Sequence, residues 1–171
     1  MPPALPALDS DTPYRSHRFE PTREAALERC AKVDPRRYAA SRNHLDGAVS
    51  GLSPYITHGL TCVPEVLRLL SERHRLGWQD KFAFELGWRE YFHHAWRHLG
   101  EDLWKSARTP PAPTEVYRKK MPADVLRAAT GVPVIDVAVR TLYESGYLHN
   151  HQRMWLASYL VVISQDVVHP G

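Results

Sequence analysis

The sequence predicts an all-α protein. Apolar residues recur at three- and four-residue intervals through most of the chain, which is the period of an amphipathic helix. No segment of convincing length alternates apolar and polar residues as a half-buried strand does. Capping residues and Gly or Pro stand between the periodic segments, where helices begin and end. We therefore expect several short helices and one long central helix.

The first two predicted helices are identified by their amino-terminal residues. Thr22 precedes a segment with helical spacing of apolar residues and is predicted to be its N-cap. Asp34 followed by Pro35 starts a second helix, because Asp caps well and Pro is favoured at the first helical position. This second helix is expected to continue through Arg42, and Gly47 breaks the pattern.

Three further helices are predicted up to residue 99. Ser53 with Pro54 is expected to cap a short helix that ends at Gly59. Another helix is expected over residues 64–75. The strongest helical pattern covers residues 79–99, and its apolar residues spread over more than a narrow stripe. We therefore expect this long helix to be central in the fold.

The remaining segments also predict helices. Residues 109–122 contain four prolines and are expected to form a connecting loop. Helices are predicted over residues 123–129 and 133–145, the second closed by Gly146 as a C-cap. The last helix is expected to begin near His149.

Composition and targeting signals restrict the class of protein. The chain has 171 residues and a formal net charge of +3, which permits an anionic partner without requiring one. Residues 1–20 hold four prolines and predict an extended arm, followed by one domain over residues 21–171. No secretory signal and no membrane-length apolar segment is found. With two cysteines and no disulfide framework, we expect a cytoplasmic protein.

The long helix places unlike side chains on one face. Glu85, Trp88, Arg89 and Phe92 stand at positions i, i+3, i+4 and i+7. A carboxylate, a guanidinium and flat rings side by side suit a flat, hydrogen-bonding ligand such as a base or a flavin. The alternative is a surface ion pair with an aromatic neighbour.

Two other segments could bind polar groups. In the last helix, Asn150 and Arg153 share a face beside Met154; the alternative is that Asn150 only caps the helix and Arg153 meets solvent. The loop over residues 50–53 offers two hydroxyls and backbone N–H groups to a phosphate, or is an ordinary capping turn. It contains neither Gly-x-Gly-x-x-Gly nor a P-loop, so nucleotide-dependent classes built on those motifs lack support.

Histidines and nucleophiles give weaker signals. His94 and His98 stand four residues apart, and His149 and His151 form a second pair. Neither pair has a firm third ligand, so no metal site is expected. No Gly-x-Ser-x-Gly motif is present, and nucleophilic catalysis is unsupported.

Five motifs in order carry a resemblance to a known family. They are Tyr38-x-x-x-Arg42, SGLSPYI (50–56), ELGWREY (85–91), TGVPVID (130–136) and GYLHNHQRM (146–154). Together they resemble the FAD-binding helical domain of the DNA photolyase and cryptochrome family, in particular its N-terminal part. The resemblance implies a deoxyribodipyrimidine photolyase, a carbon–carbon lyase. Light-driven electron transfer from reduced FAD would repair cyclobutane pyrimidine dimers in DNA.

The resemblance also assigns residues. The catalytic set it implies is Glu85, Trp88, Asn150 and Met154. The cofactor-binding set is Tyr38, Val49, Ser50, Gly51, Leu52, Ser53, Glu85, Arg89, Asn150 and Arg153. The DNA-binding set is Arg42, Glu85, Trp88, Arg89, Phe92, Asn150 and His151. Val49 stands where a Thr is usual in the family, and His151 where an Arg is frequent.

The resemblance covers only part of a family member. The antenna domain and the C-terminal half of the FAD pocket are expected to lie outside this chain. Aromatic side chains would then be partly exposed, which predicts self-association or a complementary chain: Trp88, Tyr91, Trp96, Trp155 and Tyr159. The alternative functions are a non-catalytic helical remnant and a blue-light receptor module of the cryptochrome kind.

Overall fold

The computed structural model describes residues 19–44, 46–104 and 121–163. All regular elements in these residues are helical, which confirms the predicted all-α fold class. They divide into an amino-terminal unit (residues 19–104) and a carboxyl-terminal unit (residues 121–163). Residues 1–18 of the predicted extended arm and most of the predicted loop over residues 109–122 lie outside the described residues.

The amino-terminal unit begins with the predicted capped helices. Its elements are α1 (Arg23–Ala31), α2 (Pro35–Ser41), α3 (Ser53–Thr57), α4 (Val63–Ser71), α5 (Lys81–Leu99) and a 3₁₀ turn (Gly100–Trp104). Thr22 Oγ1 accepts a hydrogen bond from the Ala25 N–H at 3.1 Å. Asp34 Oδ1 accepts from the N–H groups of Arg36 and Arg37. Both N-caps predicted from the sequence are thereby confirmed.

Several helix ends differ from the prediction, among them the first helix after residue 121, which ends at Leu126 rather than at residue 129. The N-cap of α3 is Leu52 rather than Ser53, and no side chain bonds to the first turn. Ser53 instead occupies the first helical position. Helix α4 ends at Ser71, before the predicted end at residue 75. Beyond it, Arg73 extends away from α4 and donates to carbonyl oxygens at the end of α1, a tertiary contact that no local pattern reports.

The core of the amino-terminal unit lies between α1, α3, α4 and the start of α5. Its buried residues are Ala26, Cys30, Val33, Leu52, Tyr55, Val66, Leu70 and Phe82. Phe82 is the one buried residue of α5. The prediction of a central long helix is wrong for the rest of α5, where aromatic side chains that broadened its apolar stripe are exposed.

A buried thiol and an exposed thiol belong to this unit. Cys30 lies in the core, and burial raises the pKa of its thiol. Cys62, the N-cap of α4, is exposed. Neither cysteine forms a disulfide.

A polar network ties α1 to α4. The Arg23 guanidinium donates to both carboxylate oxygens of Glu65, at 3.2 Å for Nη1 to Oε2, and Thr61 Oγ1 donates to Oε2 at 2.8 Å. These donors, first Arg23 and then Thr61, hold the pKa of Glu65 below its ordinary value. The network contributes most to the stability of the folded chain when Glu65 is ionised.

We expect Glu65→Gln to reduce the acid sensitivity of the chain. A carboxylate with a lowered folded-state pKa contributes its full stability above its ordinary pKa and loses it as the pH falls through the lowered value. Urea midpoints measured between about pH 7 and about pH 3 should therefore fall less steeply for the variant than for the wild type. Glu72→Gln is the control, because Glu72 pairs with Arg68 on the exposed surface of α4. Parallel slopes for wild type and Glu65→Gln would contradict the expectation.

The carboxyl-terminal unit contains the other predicted helices. Its elements are α6 (Ala123–Leu126), α7 (Pro133–Ser145), α8 (Asn150–Ser158) and a π-helical turn (Tyr159–Ile163). Gly146 adopts φ 65°, so the predicted glycine C-cap of α7 is confirmed. The core contains Val125, Ala128, Ile135, Val139 and Leu160. These apolar contacts hold the end of α8, where Trp155 and Leu156 pack against the cluster.

Exposure of the five aromatic side chains agrees with the sequence-based expectation. Trp88, Tyr91 and Trp96 are exposed. Trp155 and Tyr159 are half-buried. The predicted self-association remains a prediction. Among the described residues, no helix combines the length and the apolar character needed to cross a bilayer.

Candidate functional site

A compact polar cluster joins α2 to the start of α5. The Tyr38 ring packs edge-on against Phe82, with ring centroids 5.1 Å apart. Arg42, one turn further along α2, has its Cζ 5.9 Å from the Tyr38 ring and its Nη2 3.4 Å from Glu85 Oε1. Lys81 Nζ lies 2.9 Å from the same oxygen. The structure thus brings Tyr38, Arg42 and Glu85 together and places two cations on one carboxylate.

Arg89 lies one turn beyond Glu85 and reaches α3. Its Nη2 donates to Thr57 Oγ1 at 3.3 Å. Its Nε is buried and has no hydrogen-bond partner among the described residues. An unsatisfied buried donor on a charged group is costly, so it marks a position where an acceptor would be stabilised.

The loop before α3 has the conformation of a tight turn. Gly51 adopts φ +61°, a left-handed conformation that costs a glycine little. The Leu52 N–H donates to Ser50 Oγ at 3.4 Å, so one of the predicted hydroxyl groups is engaged within the loop. Ser53 follows as the first residue of α3, which has no side-chain cap. Because no side chain caps α3, the structure does not support the capping-turn alternative, and the phosphate loop stays a prediction.

Exposed aromatic rings form a stripe along α5. We call Phe84, Trp88, Tyr91 and Phe92 the aromatic stripe. Trp88 contacts the other three, with centroids 6.0 Å from Phe84, 5.4 Å from Tyr91 and 5.9 Å from Phe92. The four side chains are between 44% and 64% exposed, so their ring faces are accessible to a flat partner. Trp88 and Phe92, both predicted site residues, lie together here.

The start of α8 is organised by a histidine. His149 is the N-cap, and its Nδ1 accepts from the His151 N–H at 3.1 Å. Gln152 Oε1 accepts from the His149 N–H at 3.2 Å. His149 and Gln152 are both buried. The alternative in which Asn150 only caps the helix is therefore wrong, because His149 performs that role.

The predicted residues of α8 adopt different environments. Asn150 is exposed and its Nδ2 lies 3.6 Å from the sulfur of Met154, which is also exposed. Arg153 Nε donates to the Leu148 carbonyl oxygen at 3.0 Å and its guanidinium covers the Tyr147 ring. Thus Asn150 and Met154 form a contacting pair, whereas Arg153 is engaged with the turn before the helix.

His151 completes the predicted residues of α8. Its ring packs against Trp155, and its Nδ1 is buried without a hydrogen-bond partner among the described residues. The His94 and His98 rings lie tilted against each other, with centroids 4.1 Å apart. Within the described part of the chain, no three potential ligands are grouped to hold a metal ion.

Sequence reasoning missed two residues that shape these sites. His149 is not a common capping type, and only its spacing from Gln152 could have signalled a capping box. Arg29, on α1, packs against the loop at Gly51. No sequence signal links two residues that lie 22 positions apart in this way.

Comparison with known families adds a functional description. Residues 82–164 match the family model described as the FAD binding domain of DNA photolyase. A deoxyribodipyrimidine photo-lyase of Synechococcus sp. is 31% identical over 159 residues, a match covering 82% of this chain and 32% of that protein. A cryptochrome DASH of Natronomonas pharaonis is 31% identical over 140 residues, covering 73% of this chain and 28% of that protein. The chain thus spans about a third of the length of these relatives.

A solved structure has a similar fold. The crystal structure of a bacterial class III photolyase from Agrobacterium tumefaciens superposes with a TM-score of 0.66 at 24% sequence identity. The match covers 86% of this chain and 32% of that one. At this identity the likeness establishes the fold, and it agrees with the all-helical units described above.

Proposed function

Because the chain belongs to the DNA photolyase and cryptochrome family, we propose that it is the FAD-binding part of a deoxyribodipyrimidine photolyase. FAD is the cofactor of the matched domain, which confirms the cofactor predicted from the sequence. When bound, FAD supplies the light-driven electron that splits a cyclobutane pyrimidine dimer. The residues of the chain serve to bind and orient the cofactor and the DNA.

One observation carries the proposal, namely the unsatisfied buried Nε of Arg89. FAD offers the carbonyl oxygens of its flavin ring and the oxygens of its phosphates, and either kind can accept a hydrogen bond from a guanidinium. Arg89 stands in the segment that matches the FAD-binding family model, and the resemblance implies a role close to the flavin. The donor therefore fits the cofactor, and we assign Arg89 to cofactor binding.

The loop before α3 is proposed to hold the phosphate and ribitol region of FAD. It spans Val49, Ser50, Gly51, Leu52 and Ser53. The left-handed backbone at Gly51 and the absence of a side-chain cap on α3 are compatible with close approach of an anionic group. Tyr38 is proposed to border the same part of the cofactor.

The outer residues of α5 are proposed to bind the lesion. Trp88 and Phe92 present exposed rings, which can stack on an extruded base. Glu85 is proposed to accept hydrogen bonds from the dimer, and its ion pairs keep a negative acceptor at a fixed position. Arg42 is proposed to attract the DNA backbone in addition to pairing with Glu85.

The residues of α8 have proposed roles of their own. Asn150 offers an amide to the flavin or the lesion, and Met154 offers an exposed apolar surface to the lesion. His151 is proposed to contribute to DNA binding. Arg153 is proposed to contact the cofactor while it holds the turn at Leu148.

We expect the purified chain to retain FAD, and Arg89→Met to weaken that binding at least tenfold. Methionine replaces the unbranched stem of the side chain as far as the Nε position but removes the buried donor, and a hydrogen bond to a charged group contributes about 1.5–3 kcal/mol. Binding is measured from the visible absorption after incubation with FAD and desalting, and from titration of flavin fluorescence.

The control for this experiment is Arg97→Met, which removes an exposed arginine from the same helix. It should bind FAD as the wild type does. Equal FAD affinity for Arg89→Met and wild type would contradict the role of Arg89. A wild-type chain that retains no flavin would instead favour the non-catalytic helical alternative.

A blue-light receptor is the second candidate, and the match to a cryptochrome DASH favours it. The two candidates are separated by illuminating the reduced, FAD-loaded chain with an oligonucleotide that contains a pyrimidine dimer. Loss of the dimer in the light and not in the dark supports the photolyase. No dimer loss from the reduced chain, together with photoreduction of the flavin when the oxidised, FAD-loaded chain is illuminated with an added thiol reductant, supports the receptor.

A further inference from the structure

The guanidinium of Arg29 is held between two aromatic rings beside the loop that precedes α3. Its Cζ lies 4.7 Å from the centroid of the Phe19 ring and 5.9 Å from that of Tyr55. These rings contact each other edge-on, with centroids 5.9 Å apart. Arg29 is half-buried and Tyr55 is in the core. The positive charge is therefore fixed in position by cation–π contacts instead of moving freely in solvent.

The third neighbour of this guanidinium is the backbone of Gly51. A β-carbon built on Gly51 would lie 2.6 Å from Arg29 Nη1 and 3.3 Å from its Cδ. The arginine thus occupies the space that a side chain at position 51 would need. Gly51 has two reasons to be glycine, which are its φ of +61° and this close approach.

This packing gives the loop a cation that the family motifs do not include. Arg29 lies on α1, before the first motif of the resemblance, and it reaches the loop only through the fold. A charge fixed by packing acts on a bound anion without the entropy cost of ordering a long side chain at the moment of binding. The loop is the segment proposed above to hold the phosphates of FAD.

We propose that Arg29 is a positioning residue for the phosphate end of FAD. It supports the backbone at Gly51 and adds positive charge beside the loop. This inference rests on the proposed function. It predicts that Arg29 matters for flavins with phosphate groups and has little influence on flavins that lack them.

The test compares FAD with riboflavin, which carries the same isoalloxazine ring and ribityl chain but no phosphate. Dissociation constants are measured by fluorescence titration on the full chain for wild type, Arg29→Met and Arg29→Lys. For Arg29→Met we expect FAD affinity to fall about tenfold and riboflavin affinity to stay within about twofold. Arg29→Lys, which keeps the charge, should recover most of the FAD affinity.

Arg36→Met is the matched control, because it removes the same charge from an exposed position of α2. Equal losses for FAD and riboflavin in Arg29→Met would overturn the inference, since they would indicate a general structural defect. So would an unchanged FAD affinity, or a loss in Arg36→Met as large as that in Arg29→Met. If Arg29→Met does not fold, the result for Arg29→Lys is decisive. A ratio of FAD to riboflavin affinity like that of the wild type supports the role of the charge at position 29. Loss of the preference for FAD overturns the inference.

Failure of the proposed function has a different outcome in the same experiment. A wild-type chain that binds neither flavin contradicts both the proposed function and this inference. A wild-type chain that prefers FAD over riboflavin, with Arg29→Met equally selective, leaves the proposed function intact and overturns the inference alone.

Discussion

Gly47→Ala is expected to destabilise the amino-terminal unit by about 3 kcal/mol. A β-carbon at this position would lie 1.7 Å from the carbonyl oxygen of Ser41 and 2.9 Å from that of His44. Both neighbours are backbone atoms, so the clash cannot be relieved by a side-chain rotation. The turn after α2 must move, which disturbs the hydrogen bond from the Gly47 N–H to the His44 oxygen. Urea unfolding followed by circular dichroism measures the loss.

Gly87→Ala is the matched control for this substitution. Gly87 lies inside α5, and a β-carbon there would meet no atom within 4 Å. Alanine is favoured over glycine in a helix by about 1 kcal/mol, so this variant should be more stable than the wild type. A loss of stability in Gly47→Ala and a gain in Gly87→Ala would confirm that the first glycine is crowded by backbone atoms and the second is not. A Gly47→Ala protein as stable as the wild type would refute the conformation of the turn.

Phe82→Ala is expected to cost about 3–5 kcal/mol of unfolding free energy. Phe82 is 2% exposed and is the one buried residue of α5. Its ring also packs edge-on against Tyr38 and so joins α5 to α2. Removing the ring would leave a cavity and loosen the contact between Arg42 and Glu85. The unfolding midpoint in urea and the FAD affinity should therefore both fall.

Phe84→Ala tests whether burial is the cause. This residue is two positions further along α5 but is 44% exposed in the aromatic stripe. Its loss should cost about 1 kcal/mol or less, because little apolar surface is returned to water. Equal destabilisation by Phe82→Ala and Phe84→Ala would contradict the packing of Phe82 into the core of the amino-terminal unit.

Local signals in the sequence were sufficient for most helix boundaries. Thr22 and Asp34 act as predicted because a capping side chain bonds to an N–H group two or three residues away. Gly146 closes α7 as predicted because its left-handed conformation is a property of one residue. These features depend on neighbours in the chain, and a sequence reports neighbours directly.

Features that depend on tertiary contacts did not follow from the local patterns of single helices. The exposure of α5 beyond Phe82 contradicts a central helix, because the apolar pattern of a helix does not state which partner covers it. The contact between Arg29 and Gly51 joins α1 to a loop after α2. Neither fact follows from residue spacing.

The candidate site was predictable in part. Spacing alone placed Glu85 and Arg89 on one face of a helix, and the structure gives them separate partners, Arg42 and Thr57. The grouping of Tyr38 and Arg42 with residues of α5 in the predicted binding sets came only from the resemblance. Recognition of several motifs in order supplied tertiary information that the spacing within a single helix cannot contain.

The two thiols of the amino-terminal unit allow the opening of its core to be followed by chemical labelling. A thiol reagent reacts through the thiolate, so exposed Cys62 is modified in the folded protein, whereas Cys30 is protected by burial and by its raised pKa. Cys30 reacts only when α1 separates from the core. The rate at which Cys30 is modified therefore measures how often the core opens. Slower labelling in the presence of a bound molecule would show, without any optical probe, that the molecule stabilises this unit.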